Sequence, residues 1–234
     1  MSQLRFGRII DLTQPLHPGV PVWPGDPRPR MKSISELEYD GYRQSALTLA
    51  EHTGTHLGAP AHFLHGGRTV DQIRAEELFV PAAVITVAER AAADPDYGLS
   101  LADLEAWEGE HGRLEPGCFV LLHTGWACFW KDERRYRNQD GQGVMHFPGF
   151  GRAAAEFLIR ERGAIGLGSD TLGVDRGCEP ELPVSRLLAQ ADKLHLENLA
   201  NLERLPPRGA WLLIGALKIQ GGTGSPARVL ALIP

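Results

Sequence analysis

Residues 52–63 read His-Thr-Gly-Thr-His-Leu-Gly-Ala-Pro-Ala-His-Phe, which places His52, His56 and His62 within eleven residues. His52 and His56 would share a helical face, but Gly54, Gly58 and Pro60 each disfavour a helix interior. The spacing therefore predicts a tight loop, in which glycines let the backbone approach an ion or substrate closely. Neutral imidazoles in such a loop serve as metal ligands or proton carriers. Single histidines on polar loops are commonly solvated or capping residues, but three of the chain's nine in one glycine-punctuated stretch point to a functional site.

The stretch resembles the signature His-x-Gly-Thr-His-x-Asp-x-Pro-x-His-Phe of the cyclase family of metal-dependent hydrolases, the family of kynurenine formamidase and isatin hydrolase. The likeness continues in order along the chain. It runs through IIDLTQPLHPGVPVWPGDP at 9–27, LLHTGW at 121–126, FPGF at 147–150, GLGSDTLGVDRG at 166–177, LENLANLERLP at 196–206 and ALKIQGGTGSPARVLAL at 216–232. Several motifs in one order are more specific than any single match. The resemblance implies a swivelling β/α/β fold in one domain over 1–234. It also implies hydrolysis of a C–N or C–O bond in a small carbonyl compound, as by an arylformamidase. The implied assembly is a homodimer or higher homo-oligomer, with the amino-terminal loop packed at the interface and helping to close the site. His52, His56 and Glu197 match the family's metal ligands, and His62 its general base.

Two departures bear on the chemistry. Gly58 stands where the signature has a metal-bridging Asp, and Ser185 stands twelve residues before Glu197, where two-metal members have a further His. One divalent ion, zinc or manganese, is therefore expected rather than two. Two histidines and one glutamate are a known set for catalytic zinc. His62 could swing in as a ligand, at the expense of its role as a base. His195 shares a strand face with Glu197 and could stand in for the missing His, although a solvated face is the commoner place for such a histidine. With no carboxylate at 58, weaker metal binding is expected, and Gly58→Asp is expected to tighten it if that position faces the ion. The alternatives are a metal-independent lyase, isomerase or cyclase on the same scaffold, with His62 as proton carrier, or a non-catalytic ligand-binding homologue.

Substrate-binding candidates lie on loops and strand ends. Trp23, in the proline-rich stretch 14–30, could cover the site or pack on its own core. Thr124 and Trp126 follow an apolar strand, where the indole could stack on an aromatic substrate. Asp170, in the same turn-rich loop as Asp175 and Arg176, could bind a ligand or satisfy loop backbone N–H groups. Cys178 beside that loop is a conceivable nucleophile, but Cys118, Cys128 and Cys178 form neither a disulfide framework nor a thiolate zinc pattern.

Composition fits a globular enzyme. The 234 residues are 43% hydrophobic and 23% charged, enough to bury a continuous core. A net charge of −5 argues against nucleic acid or an anionic membrane as partner, and a small-molecule substrate is expected. No signal-peptide core or membrane-spanning run is visible, so a cytoplasmic protein is expected.

Strands are predicted at 8–13, 42–52, 82–88 and 118–124, in KLHLENL, and in WLLIGALKI and ARVLALI near the end. Ser100 and Asp103 form a capping box ahead of a helix from Leu101. Ala153, Ala154, Phe157 and Leu158 form an apolar stripe that stops at Gly163. The order is neither a regular βαβ alternation nor an all-β pattern, so the fold class is mixed α/β (α+β).

Overall fold

The computed structural model describes residues 6–234. Its strands are β1 (Arg8–Asp11), β2 (Arg30–Ser35), β3 (Gln44–Thr48), β4 (His56–Gly58), β5 (Phe79–Thr86), β6 (Gly98–Leu99), β7 (Phe119–His123), β8 (Gly149–Phe150), β9 (Gly166–Ser169), β10 (Leu194–Glu197), β11 (Ala210–Ala216) and β12 (Gly224–Ile233). Helices are α1 (Leu37–Asp40), α2 (Ala88–Ala93), α3 (Leu101–His111), α4 (Glu133–Arg137), α5 (Arg152–Arg160) and α6 (Pro183–Gln190).

The main sheet runs β1-β12-β11-β5-β7-β9-β10-β4, and β4 turns back to pair with β12. Seven strands, from β12 round to β4, thus close a mixed barrel. The ten-residue β12 makes closure possible, because one of its edges pairs with β4 at Gly224–Pro226 and with β1 at Leu230–Ile233. Strands β5, β7, β9 and β10 are parallel, and parallel neighbours need crossover connections. Those crossovers carry α3, α5 and α6. The structure thus contains a βαβ run where the sequence pattern showed no regular alternation.

Parallel strands covered on both faces read as continuous apolar runs. On β7, Phe119 and Leu121 point into the barrel with Val84, Leu196, Leu212 and Val229. Val120 and Leu122 point outward, with Ile85 and Leu167, against Leu104 and Trp107 of α3, Leu158 of α5 and Leu188 of α6. Each fully buried large aliphatic side chain is worth about 1.5–3 kcal/mol.

The α3 capping box forms as expected, Asp103 N donating to Ser100 Oγ at 3.2 Å and Ser100 N to Asp103 Oδ2 at 2.8 Å. The α5 stripe is rotated by one residue from the expectation. Its buried face is Ala154, Ala155, Leu158 and Ile159, and Ala153 is exposed. The predicted strand at 42–52 shortens to β3, which pairs only with β2 in a ribbon outside the barrel. Residues 14–29 form no helix or strand. They pack Val20 and Val22 onto a third apolar cluster with Trp126, Trp130, Tyr136 and Phe147.

Candidate metal-binding active site

Strand parity fixes what faces the site. On β4 and β10, Leu57, Leu194 and Leu196 enter the barrel core, so His56, Gly58, His195 and Glu197 turn to the opposite face. The antiparallel register places His195 beside Gly58 and Glu197 beside His56. His52, on the turn leading into β4, completes the cluster. One ligand atom from each of His52, His56 and His195 lies within 4.8 Å of the others. Glu197 falls outside that mutual limit but touches two members: its Oε2 is 3.2 Å from His56 Nε2 and its Oε1 3.9 Å from His195 Nε2.

Hydrogen bonds set the tautomers. His56 Nδ1 lies 2.8 Å from the Gly54 carbonyl, which only accepts, so Nδ1 carries the proton and Nε2 the lone pair. That buried Nε2 has no hydrogen-bond partner among the described residues, because the Glu197 oxygen 3.2 Å away is itself an acceptor. An orphaned imidazole lone pair costs free energy unless something takes it up, and a metal ion fits that need. Thr223 donates its hydroxyl to Glu51 at 2.6 Å, leaving Oγ1 to accept from His52 Nε2 at 3.0 Å. The lone pair of His52 is then on Nδ1.

Burial holds the His52 and His195 imidazoles neutral, as ligation requires. Burial, followed by His56, His62 and His195, pushes the His52 pKa far below its ordinary value. Burial likewise pushes His195 down to about 4, His56 and His62 adding to the effect and Glu197 opposing it. Burial alone would raise Glu197, but His56, His195 and His62 together outweigh it and hold the carboxyl below its ordinary value. His195 is 3% exposed, which corrects the expectation of a solvated strand face. The reason is that β10 is an inner strand between β9 and β4, with α6 packed against it.

A cavity of about 290 Å³ opens onto the cluster. His52, His62, His195 and Glu197 line it, with Asp26, Asp175, Arg176 and Ser185 also in the wall. Trp23, Phe63, Phe147 and Leu172 supply apolar surface. Trp23 packs on the third cluster and also lines the cavity. His62 is solvent-accessible as a residue, yet its ring stacks on His52 at 3.8 Å between centroids and meets Phe63 edge-on at 4.2 Å. That desolvation is the largest cause holding its pKa below the ordinary value, with Glu197 opposing and His56 assisting.

Thr124, Trp126 and Asp170 are not brought to this cavity. Asp170 Oδ1 accepts from Thr124 N at 2.9 Å and Thr124 Oγ1 at 2.6 Å, and Trp126 Nε1 donates to Tyr136 O at 2.8 Å. These are buried contacts that join two loops, the role expected of Asp170 if it satisfied local donors. Ser185 donates through both N and Oγ to Asp175, which also accepts from Val184 N and so caps α6. Burial pushes the Cys178 thiol up, away from an activated thiolate, and Cys178 does not line the cavity.

The expectation for Gly58→Asp is also overturned. A Cβ at 58 would come within 3.0 Å of three atoms of the His195 ring, so a carboxylate there would displace that imidazole rather than join it. Sequence reasoning also missed Asn198, whose Nδ2 donates to Gly54 O at 3.0 Å and whose Oδ1 accepts from Tyr136 at 2.9 Å. Its left-handed backbone, φ 57°, is a conformation that Asn favours, but nothing local in the sequence marks it.

The Cyclase family model matches residues 10–176. The isatin hydrolase of Roseibium aggregatum is 37% identical over 244 aligned residues, covering 97% of this chain and 92% of that protein. The kynurenine formamidase of Sphingopyxis alaskensis is 27% identical over 230 residues, covering 96% and 98%. A solved isatin hydrolase bound to the product analogue thioisatinate superimposes with a TM-score of 0.90 at 36% identity, over 97% of this chain and 92% of the other.

Proposed function

This chain belongs to the cyclase family, and from that premise we propose that it is a metal-dependent amidohydrolase opening the C–N bond of a small cyclic amide of the isatin type. One observation carries the reading. Among the described residues His56 Nε2 is buried without a hydrogen-bond partner, beside the neutral imidazoles of His52 and His195, which line an aromatic-walled cavity. His52, His56 and His195 would hold one divalent ion, zinc or manganese, with Glu197 as the adjoining carboxylate. Bound there, the ion would supply water acidified toward neutrality and polarisation of the substrate carbonyl.

The chain's own residues do the rest. Gly54 O and the Glu51–Thr223 pair fix the orientation of His56 and His52. His62, neutral at pH 7 because its pKa is depressed, takes the proton of the attacking water and returns it to the leaving nitrogen. Trp23, Phe63 and Phe147 exclude bulk water and offer ring faces to an aromatic substrate. The assembly is a homodimer in which the β2–β3 ribbon is covered, since a two-stranded ribbon exposing Met31, Ile34 and Leu47, with Tyr39 exposed on the helix between its strands, is marginal alone in water.

The test is elemental analysis of protein purified without a histidine tag, followed by turnover of isatin and N-formylkynurenine. Stoichiometric zinc or manganese is expected, with isatin hydrolysis lost on chelation and in His56→Ala. Protein that cannot be loaded with metal, or that keeps full activity after chelation, would overturn the reading.

A further inference from the structure

Two glycines lie side by side on adjacent strands next to the site. Gly58 on β4 pairs with His195 of β10 on one edge and with Gly224 of β12 on the other. Neither has a left-handed backbone, so neither position needs glycine for its conformation. Glycine inside a strand weakens it and often marks the close approach of another group. Here that group is an imidazole in both cases. A Cβ at 58 would lie closer than 3.0 Å to three ring atoms of His195, and a Cβ at 224 closer than 3.0 Å to three ring atoms of His52. The two rings lie nearly parallel, 15° apart, with centroids separated by 6.4 Å.

We propose that Gly58 and Gly224 are paired seats, whose missing side chains set where the His195 and His52 imidazoles stand and thereby determine the metal affinity of the three-histidine site. The proposal rests on the metal reading above and deepens it. The backbone cannot relieve a clash at 58, because β4 is hydrogen-bonded on both edges where the barrel closes. The ring must move instead, and zinc–nitrogen bonds of about 2.0–2.1 Å leave little room for that. Both glycines are therefore positioning residues. They hold the ligands without touching the ion.

The experiment measures zinc affinity by competition with a chromophoric chelator, and cobalt absorption spectra, for Gly58→Ala, Gly224→Ala, His195→Ala and the Gly58→Ala/His195→Ala double variant. Circular dichroism reports folding, and thermal melts are run in excess chelator. Each glycine variant is expected to stay folded, to bind zinc at least about tenfold more weakly, in the range found for groups that orient metal ligands, and to show altered cobalt bands. Gly58→Ala should add no further loss in the His195→Ala background, and in chelator it should lower the melting temperature only where the His195 ring is present. If Gly58→Ala alone fails to fold, the double variant is expected to recover folding. Wild-type affinity and spectra in both glycine variants, or an undiminished effect once His195 is removed, would overturn the proposal. A wild-type protein that binds no zinc would overturn the metal reading and the affinity role of the glycines together, whereas zinc binding by wild type with unaltered glycine variants would overturn the seats alone.

Discussion

Asn198→Ala should be among the most damaging single substitutions beside the site that leave every candidate ligand in place. Asn198 is 1% exposed and ties together three segments. Its amide donates to Gly54 O, the carbonyl that also receives His56 Nδ1, and its carbonyl accepts from Tyr136. Alanine removes both side-chain bonds, at about 1 kcal/mol each. It also places a Cβ-bearing residue without Asn's local hydrogen bonding at φ 57°, at a further cost of about 1–2 kcal/mol. The expected loss is about 3–4 kcal/mol, which for a chain of this size lowers the melting temperature by roughly 6–16 °C. Asn198→Gly separates the contributions, because glycine accepts the left-handed backbone and should lose only about 2 kcal/mol. Urea unfolding of the three proteins without metal is the assay. Metal affinity should also weaken by about 10–100-fold in Asn198→Ala, because Gly54 O loses an anchor while still holding His56. Unfolding within about 1 kcal/mol of wild type, or Ala and Gly variants of equal stability, would refute the reasoning.

Burial raises the Asp175 pKa from 3.8 to about 6, so the folded state binds that proton more tightly than the unfolded chain. The associated stability, about 3 kcal/mol, is present at low pH and lost as pH rises from about 4 through about 6. The stability difference between wild type and Asp175→Asn should follow that window in denaturant titrations, and a difference independent of pH would contradict the assignment. For His62, depressed by desolvation, the acid limb of kcat/KM should have its midpoint below 6.5, and His62→Ala should lose at least about a hundredfold in turnover. A midpoint above 6.5 or an active alanine variant would remove His62 as the base. Tyr39 and Leu47 are 86% and 56% exposed on or beside the β2–β3 ribbon, so Tyr39→Glu with Leu47→Asp should convert a dimer to folded monomers in sedimentation velocity. An unchanged sedimentation coefficient would show that the ribbon is not the interface.

Much of the fold was legible where local pattern and local physics coincide. The strand expected at 118–124 appears at Phe119–His123, the capping box at Ser100 forms, and the proline-rich stretch 14–30 is irregular until a strand begins at Arg30. Helix α6 was not legible, because its cap comes from Asp175, eight residues before Pro183, and its amino-terminal neighbour Leu182 is in the left-handed region. The α5 stripe was displaced by one residue, since a row of alanines fits two adjacent helix faces equally well.

At the site, the sequence alone determined the chemistry on offer. It supplied the histidines at 52, 56 and 62, the glutamate at 197, and the absence of side chains that could ligate at 58. Tertiary structure alone decided which of these groups meet. His195 lies 137 residues from Gly58 in the chain, yet the β4–β10 register puts its ring in the space that glycine leaves open. Thr124, Trp126 and Asp170 go instead to a buried network that joins loops. The physical reason is that strand parity can be read locally, whereas register and barrel closure follow from packing summed over the whole core.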